Sequence, residues 1–339
     1  MKQGVIIFLL LLSSALSALA QNATNVRVRQ EGETIVITYD LDKEAIVRLL
    51  VATGQSNQYI ELKAVSGSGV GKDISAGVNK QIIWQPLQEK TEFVAQNVRF
   101  KVEATLNYYF SVSKTKRVVF SPGNLQYTQS TQTWSFAEHQ YDMIGKANVR
   151  GSRLANKIDL FGWSNGNSAK WGVSTSYPNS NYSGDFVDWG KNIGDGKTWY
   201  TLTKDEWYYL CNIRTKANKL IGVARINFSA NSYAIGLILL PDNWTCPANI
   251  TFQSNSANKV NVLELSDWLQ LEVIGAVFLP AMGYRIGLDI CYVNSYGFYW
   301  SATPHGLYNA YSLGFRFAGV FIDKSVCHYG QAVRLVRDL

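Results

Sequence analysis

Charged side chains are scarce in this 339-residue chain, at 17% of positions against 47% hydrophobic. The net charge is +7, yet no cluster of Lys and Arg concentrates it. Nucleic-acid binding needs a basic patch or stripe, so that class of partner is not expected. Histidine is nearly missing, with only His139, His305 and His328, and the four cysteines, Cys211, Cys246, Cys291 and Cys327, follow no zinc-binding spacing. No metal site is expected from so few scattered ligands. No G-x-S-x-G, H-E-x-x-H or phosphate-cradling glycine loop occurs, which removes the signatures of serine hydrolases, zinc proteases and P-loop enzymes. Beyond the first twenty positions no apolar run is long enough to span a bilayer as a helix.

What is present begins with an export signal. A short basic start, the apolar run Val5–Leu12 and the small residues Ser17-Ala-Leu-Ala20 read as a signal peptide over 1–20, cleaved near Ala20. No cysteine lies beside that site, so a lipid anchor is not expected. The chain is expected to be secreted, or held at the outer surface or in the periplasm of a bacterium. Export permits disulfides, and four cysteines allow three pairings; a free buried thiol is the alternative for Cys211.

Residues 21–106 read as a small β-sandwich of the immunoglobulin or fibronectin kind. Val26–Arg29, Thr34–Tyr39, Ala45–Val51, Tyr59–Leu62, Lys80–Trp84 and Val98–Val102 are strand-length runs divided by glycine-containing turns. Trp84 is read as the core tryptophan, and a spacer role is expected of this part.

A second domain is expected over 107–339. Thr203 followed by Glu206 is a capping box, which satisfies two orphan backbone donors at a helix start. Trp207, Leu210 and Ile213 then fall on roughly one helical face, and a second helix is expected near Val262–Leu271. From 158 to 197 the chain is rich in Gly, Ser, Asn and aromatic residues. Loops of that length are functional or are pinned by their own side chains. Trp163, Trp171 and Trp189 are read as such pins, with a carbohydrate-stacking platform as the alternative. Asp185, Asp188 and Asp195 are read as solvated loop carboxylates. They form no EF-hand loop, and a structural calcium is left unassigned. No other cofactor is expected.

The start Leu202-Thr-Lys-Asp-Glu-Trp207, with the terminal Gly330-Gln-Ala-Val-Arg-Leu-Val-Arg-Asp338, resembles the formylglycine-generating-enzyme-like branch of the C-type-lectin fold. It is similar above all to the secreted paralogous domains of Bacteroidetes and Fibrobacter (the Fibrobacter succinogenes major paralogous domain). The resemblance covers roughly 108–339. It implies an α+β, mostly β chain: a sandwich, then a C-type-lectin-like domain with a small antiparallel sheet, two short helices and long loops. The related oxidases bind copper through a close cysteine pair near the C-terminal strand, whereas Cys291 and Cys327 are 36 residues apart. A sulfoxide-synthase relative would need a His-rich iron domain, and calcium-dependent sugar binding would need Glu-Pro-Asn or Gln-Pro-Asp beside Trp-Asn-Asp. Asp242-Asn-Trp244 supplies neither pattern. The expectation is therefore not an enzyme but a recognition protein with a protein or glycan ligand at the cell surface. A cofactor-poor relative of the oxidase and a purely structural surface protein are the alternatives.

One further absence is local. In the 45 residues from Ile286 to Gly330 the set Lys, Gln, Glu, Met and Trp occurs only as Trp300 and Lys324. The chain-wide frequency of those types would give about eight. These five are the residues that codons ending in cytosine cannot encode, the restriction left by adenine-directed mutagenesis of AAC codons. Diversity-generating retroelements work in that way on lectin-like folds, near the C-terminus. The plain alternative is that β-rich loops disfavour Lys, Glu and Gln. Either way, Tyr292, Tyr296, His305, Leu307, Tyr308, Arg316, Phe317, Phe321, His328 and Tyr329 are the expected binding surface, because aromatic and Arg side chains give large contact area. Glu206, Trp207, Trp300, Arg334 and Arg337 are expected to be framework.

Overall fold

The computed structural model describes residues 23–339 except 57, 90–96, 107, 169, 176–177 and 255–258. The expected signal peptide lies outside the described residues. The chain divides into two compact units, Met1–Asn107 and Tyr108–Leu339. It is mostly β, with several small, mainly antiparallel sheets and few short helices. Among the described residues no helix is long and apolar enough to cross a membrane.

The first unit contains β1 (Ala23–Glu31), β2 (Thr34–Leu41), β3 (Ala45–Ala52), β4 (Ile60–Glu61), β5 (Val65–Ser66), β6 (Gly71–Ile74), β7 (Gly77–Trp84), the one-turn helix α1 (Pro86–Glu89) and β8 (Arg99–Leu106). One sheet has the order β1-β2-β7-β5; in the other, β3 pairs with β4, β6 and β8. Period-2 alternation along β3 buries Ala45, Val47, Leu49 and Val51. These share one core with Ile35, Ile37, Tyr39, Ile82 and Trp84 of the first sheet. Trp84 is 1% exposed, and its Nε1 donates to Glu89 Oε2 at 2.9 Å, so the indole is core.

The second unit opens with β9 (Phe110–Ser111), β10 (Arg117–Phe120), β11 (Leu125–Thr128), β12 (Thr133–Phe136), β13 (Val149–Arg150), β14 (Arg153–Leu154), β15 (Lys157–Ile158) and β16 (Tyr200–Thr201). Then come α2 (Lys204–Tyr208), β17 (Ile221–Ser229), β18 (Ser232–Leu239), β19 (Asn261–Glu264), α3 (Leu265–Val273) and β20 (Val277–Pro280). It closes with β21 (Tyr284–Ile286), β22 (Asp289–Cys291), β23 (Gly297–His305), β24 (Asn309–Arg316), β25 (Gly319–Val326) and β26 (Leu335–Asp338). The last strand pairs with both β10 and β16, giving the order β16-β26-β10-β9. The other larger sheets are β19-β17-β18-β20 and β23-β24-β25.

The capping box of α2 is formed: Thr203 Oγ1 accepts from Glu206 N at 3.2 Å, and Glu206 Oε2 accepts from Thr203 N at 2.8 Å. Glu206 also pairs with Lys116 at 2.6 Å. Trp207 and Leu210 are fully buried, but Ile213 is 54% exposed. The α-helical face expected for Ile213 is lost because the helix widens after Tyr208 into a π-turn over Tyr209–Ile213. Its ladder ends with Arg214 N donating to Tyr209 O at 2.9 Å. The wider turn buries Cys211 and Arg214 in its place. The second helix begins at Leu265 rather than Val262, because Glu264 and Asp267 form its capping box and Val262 stays in β19.

The tryptophan-rich loops are packed. Trp163 and Trp189 are at most 1% exposed and share a core with Phe161, Tyr182 and Trp300. Trp163 Nε1 donates to Ser301 O at 3.0 Å, and Trp189 Nε1 donates to Trp171 O at 2.7 Å. Burying one indole removes roughly 150–250 Å² from water, about 4–6 kcal/mol of transfer free energy before entropy. Neither ring offers a stacking face. Two of the loop carboxylates are not simply solvated. Asp188 accepts from Gly190 N and Thr201 N, both at 2.9 Å. Asp195 accepts from Trp199 Nε1, also at 2.9 Å. Asp185 is exposed.

Asp159 is fully buried, and its carboxylate accepts from Ile144 N and Asn148 Nδ2, each at 2.8 Å. Burial outweighs those bonds and pushes its pKa up to about 6. A raised folded-state value favours the folded chain in the protonated state, so stability is gained as pH falls through about 6 and is absent above it. The wild-type chain should therefore gain stability relative to Asp159→Asn as pH falls from about 7 to about 5, read from urea midpoints. Parallel pH profiles for the two chains would refute this.

Candidate binding surface

The surface begins with a close approach of backbone. Gly283 has φ +66°, and a Cβ there would lie 1.8 Å from Cys291 O. Only glycine lets the chain after β22 fold back at this point. Gly283 N donates to Tyr296 O at 2.7 Å, and Asn294 N donates to Ala281 O at 2.7 Å. The fold-back passes through left-handed conformations at Tyr292 and Asn294, and Asn294 Oδ1 accepts from Ile235 N at 3.0 Å. Arg285 anchors the hairpin from below. It is fully buried and donates to Ser174 O at 2.8 Å and Leu160 O at 3.4 Å.

On this support the aromatic side chains form a continuous patch. Tyr284 stacks on Tyr329 with centroids 5.5 Å apart and planes 6° apart. It also meets Tyr292 at 5.8 Å and the edge of Phe298 at 5.5 Å. Tyr296 lies 5.0 Å from Tyr292 and stacks on Phe298 at 6.1 Å. Phe298 touches Phe321 at 6.3 Å, across Gly314, where any Cβ would strike the Phe321 ring. His328 adds an edge against Tyr329 at 5.1 Å. Tyr292 is the most open of these rings, at 55% exposure.

Five of the ten expected residues meet here: Tyr292, Tyr296, Phe321, His328 and Tyr329. Arg316 and Phe317 lie in the β24–β25 turn, at the end of the sheet where Gly297 pairs with Phe315. His305, Leu307 and Tyr308 lie at the opposite end of the β23–β24 hairpin, where His305 pairs with Asn309. There His305 packs on Tyr311 at 5.0 Å, and Lys204 Nζ lies 4.9 Å above the same ring. The ten residues thus fall at two ends of one sheet, not on a single surface. Tyr284 and Phe298 complete the patch without having been singled out from sequence. The alternation in Gly297-Phe-Tyr-Trp300 carried the signal for Phe298, because it sends Tyr299 to the core and Phe298 to the opposite face.

The patch is poor in charge. Burial, then the neighbouring Arg285, holds the His328 pKa below its ordinary value. Burial, then Cys291, Tyr292 and Tyr329 nearby, raises that of Tyr284. The framework residues lie elsewhere: Trp300 is buried and donates to Phe161 O at 2.7 Å. Arg334 is buried, and its Nη2 donates to Gln140 Oε1 at 2.5 Å. Arg337 sits 5.9 Å from the Trp199 ring.

All four cysteines are free. Cys327 is 1% exposed within the tryptophan core, and burial pushes its thiol up to about 12. Cys291 is half-buried at the hairpin end. Among the described residues no group of three or more His, Cys, Asp or Glu side chains converges as a metal site. The arrangement offers stacking area and phenol hydroxyls. No known protein family, curated protein or solved structure matches the chain.

Proposed function

We propose that this is an exported, non-catalytic recognition protein whose second unit has a C-type-lectin-like fold of the formylglycine-enzyme-like type and binds a protein or glycan ligand outside the cell. The observation that carries the reading is the patch of seven rings held on a glycine-dependent backbone fold-back. Partly open Tyr and Phe rings give contact area at small entropic cost. The pairing of the unit's early and late strands, with few short helices and long packed loops, supports the lectin-like reading. The first unit serves as an immunoglobulin- or fibronectin-like spacer.

Retroelement diversification of 286–330 belongs to the same proposal, in a narrower form. Cys327, Tyr299, Leu313 and Phe315 are core residues, so variation would fall on their exposed neighbours. Two experiments test the proposal. A near-copy of the segment encoding 286–330 that differs at adenines, beside a reverse-transcriptase gene, is the expected genomic arrangement; its absence would leave the residue bias as loop composition. Glycan and extracellular-protein arrays should yield a ligand whose affinity falls about tenfold or more in Tyr292→Ala and in Tyr329→Ala. A ligand bound equally well by both variants would move the site elsewhere.

A further inference from the structure

The β23-β24-β25 sheet treats its two outer edges differently. On the β23 side outward groups are engaged along the strand: Ala332 N donates to Phe298 O at 3.0 Å, Trp300 N to Ala332 O at 3.0 Å, and Ala302 N to Leu202 O at 2.9 Å. On the other side β25 pairs only with β24, in the register Arg316↔Gly319, Gly314↔Phe321, Ser312↔Asp323 and Ala310↔Ser325. The outward-facing residues of β25 are then Val320, Ile322, Lys324 and Val326. Two contacts fix that parity: Val326 O accepts from Tyr329 N at 3.0 Å, and Lys324 N donates to Asp323 Oδ1 at 2.7 Å. Those contacts blunt the second half of the edge. In the first half, the N–H and C=O of Val320 and of Ile322 have no hydrogen-bond partner among the described residues.

Two donors and two acceptors, spaced two residues apart on one line, match an extended backbone. Both faces beside that line are apolar. Phe321 borders one, and the half-buried Val320 and Ile322 side chains lie against the core on the other. The exposed cations Arg316 and Lys324 bracket the open run, while the one carboxylate of β25 itself, Asp323, is engaged by a backbone N–H. No proline, bulge or inward-pointing charge protects it. We propose that the outer edge of β25 at Val320–Ile322 accepts an extended apolar peptide segment of a partner protein, flanked by a carboxylate, as a fourth strand of this sheet. The inference stands on backbone geometry and does not require the aromatic patch to be occupied.

The test starts from a random nonapeptide library displayed on phage, selected against the full chain, with the enriched sequences then made as free peptides. Enriched peptides should alternate apolar residues beside an Asp or Glu, and should slow hydrogen exchange of the Val320 and Ile322 amides by about tenfold or more. In the free chain those two amides should exchange fast beside slow Phe321 and Asp323. Ile322→Pro removes an outward N–H and no ladder bond, and should weaken the peptides by about tenfold or more. If that variant does not fold, the exchange pattern of the unaltered chain still decides. No enrichment, peptides indifferent to Ile322→Pro, or amides already slow in the free chain would overturn the proposal. Protection that rises with protein concentration alone would put a second copy on the edge and overturn it as well. Tyr292→Ala reports on the aromatic patch separately.

Discussion

Asp242→Ala is expected to lower the unfolding free energy of the second unit by about 3–5 kcal/mol. Arg214 has no exposed side-chain surface, and its Nη1 donates to Asp242 Oδ1 at 2.6 Å. Its remaining bonds go to the carbonyls of Leu210 at 2.8 Å and Leu220 at 3.4 Å. Removing the carboxylate leaves a buried cation with neutral acceptors only, and also strips the acceptor that Ser111 N uses at 3.2 Å. The loss is the penalty of an uncompensated charge, not the net worth of the pair. The double change Arg214→Leu with Asp242→Leu should therefore recover most of it, since apolar replacement of a buried pair is often neutral. Urea denaturation of the three chains decides. A loss below about 1 kcal/mol for Asp242→Ala would mean that water reaches Arg214 and solvates it.

Gly283→Ala should remove about 3 kcal/mol or more and disorganise the aromatic patch. The substitution forces a side chain into the left-handed region and sets its Cβ against the Cys291 carbonyl, which is backbone and cannot rotate away. Relief requires the 291–297 segment to lift, which breaks the Gly283 N to Tyr296 O bond and separates Tyr292 and Tyr296 from Tyr284 and Phe298. A lowered urea midpoint together with new protease cleavage between 281 and 297 is the expected result. An unchanged midpoint would show that the fold-back relaxes freely, and the patch would then have no fixed support.

Local rules were readable where they act over a few residues. The box at Thr203 and Glu206 marked the start of α2, and alternation in Ala45–Val51 marked β3 and its buried face. The end of α2 was not readable, because the π-turn that exposes Ile213 is held by the Arg214–Asp242 contact, a tertiary tie 28 residues long. The same limit separated His305, Leu307 and Tyr308 from Tyr292 and Tyr329. Composition marked all of 286–330 alike, whereas strand register sends the ends of β23 apart. Tyr284 was missed for a related reason, since its patch partners come from the turn after β22, from β23 and from the segment after β25.

The central placement of β26 has a kinetic consequence. Residues Leu335–Asp338 lie between β10 and β16, and β10 precedes them by more than 200 residues. Neither β10 nor β16 has the other as a neighbour, so beyond the local β9–β10 pair this sheet gains nothing until a very long loop has closed. Contacts so distant in sequence make the transition state costly in chain entropy, and folding should be slow for a unit of this size. Until β26 docks, Val118, Leu335 and Val336, all buried in the finished fold, stay open to solvent. A chain held in that state is a substrate for chaperones and proteases, and its lifetime is set by one closing event, not by the many local hairpins that form before it.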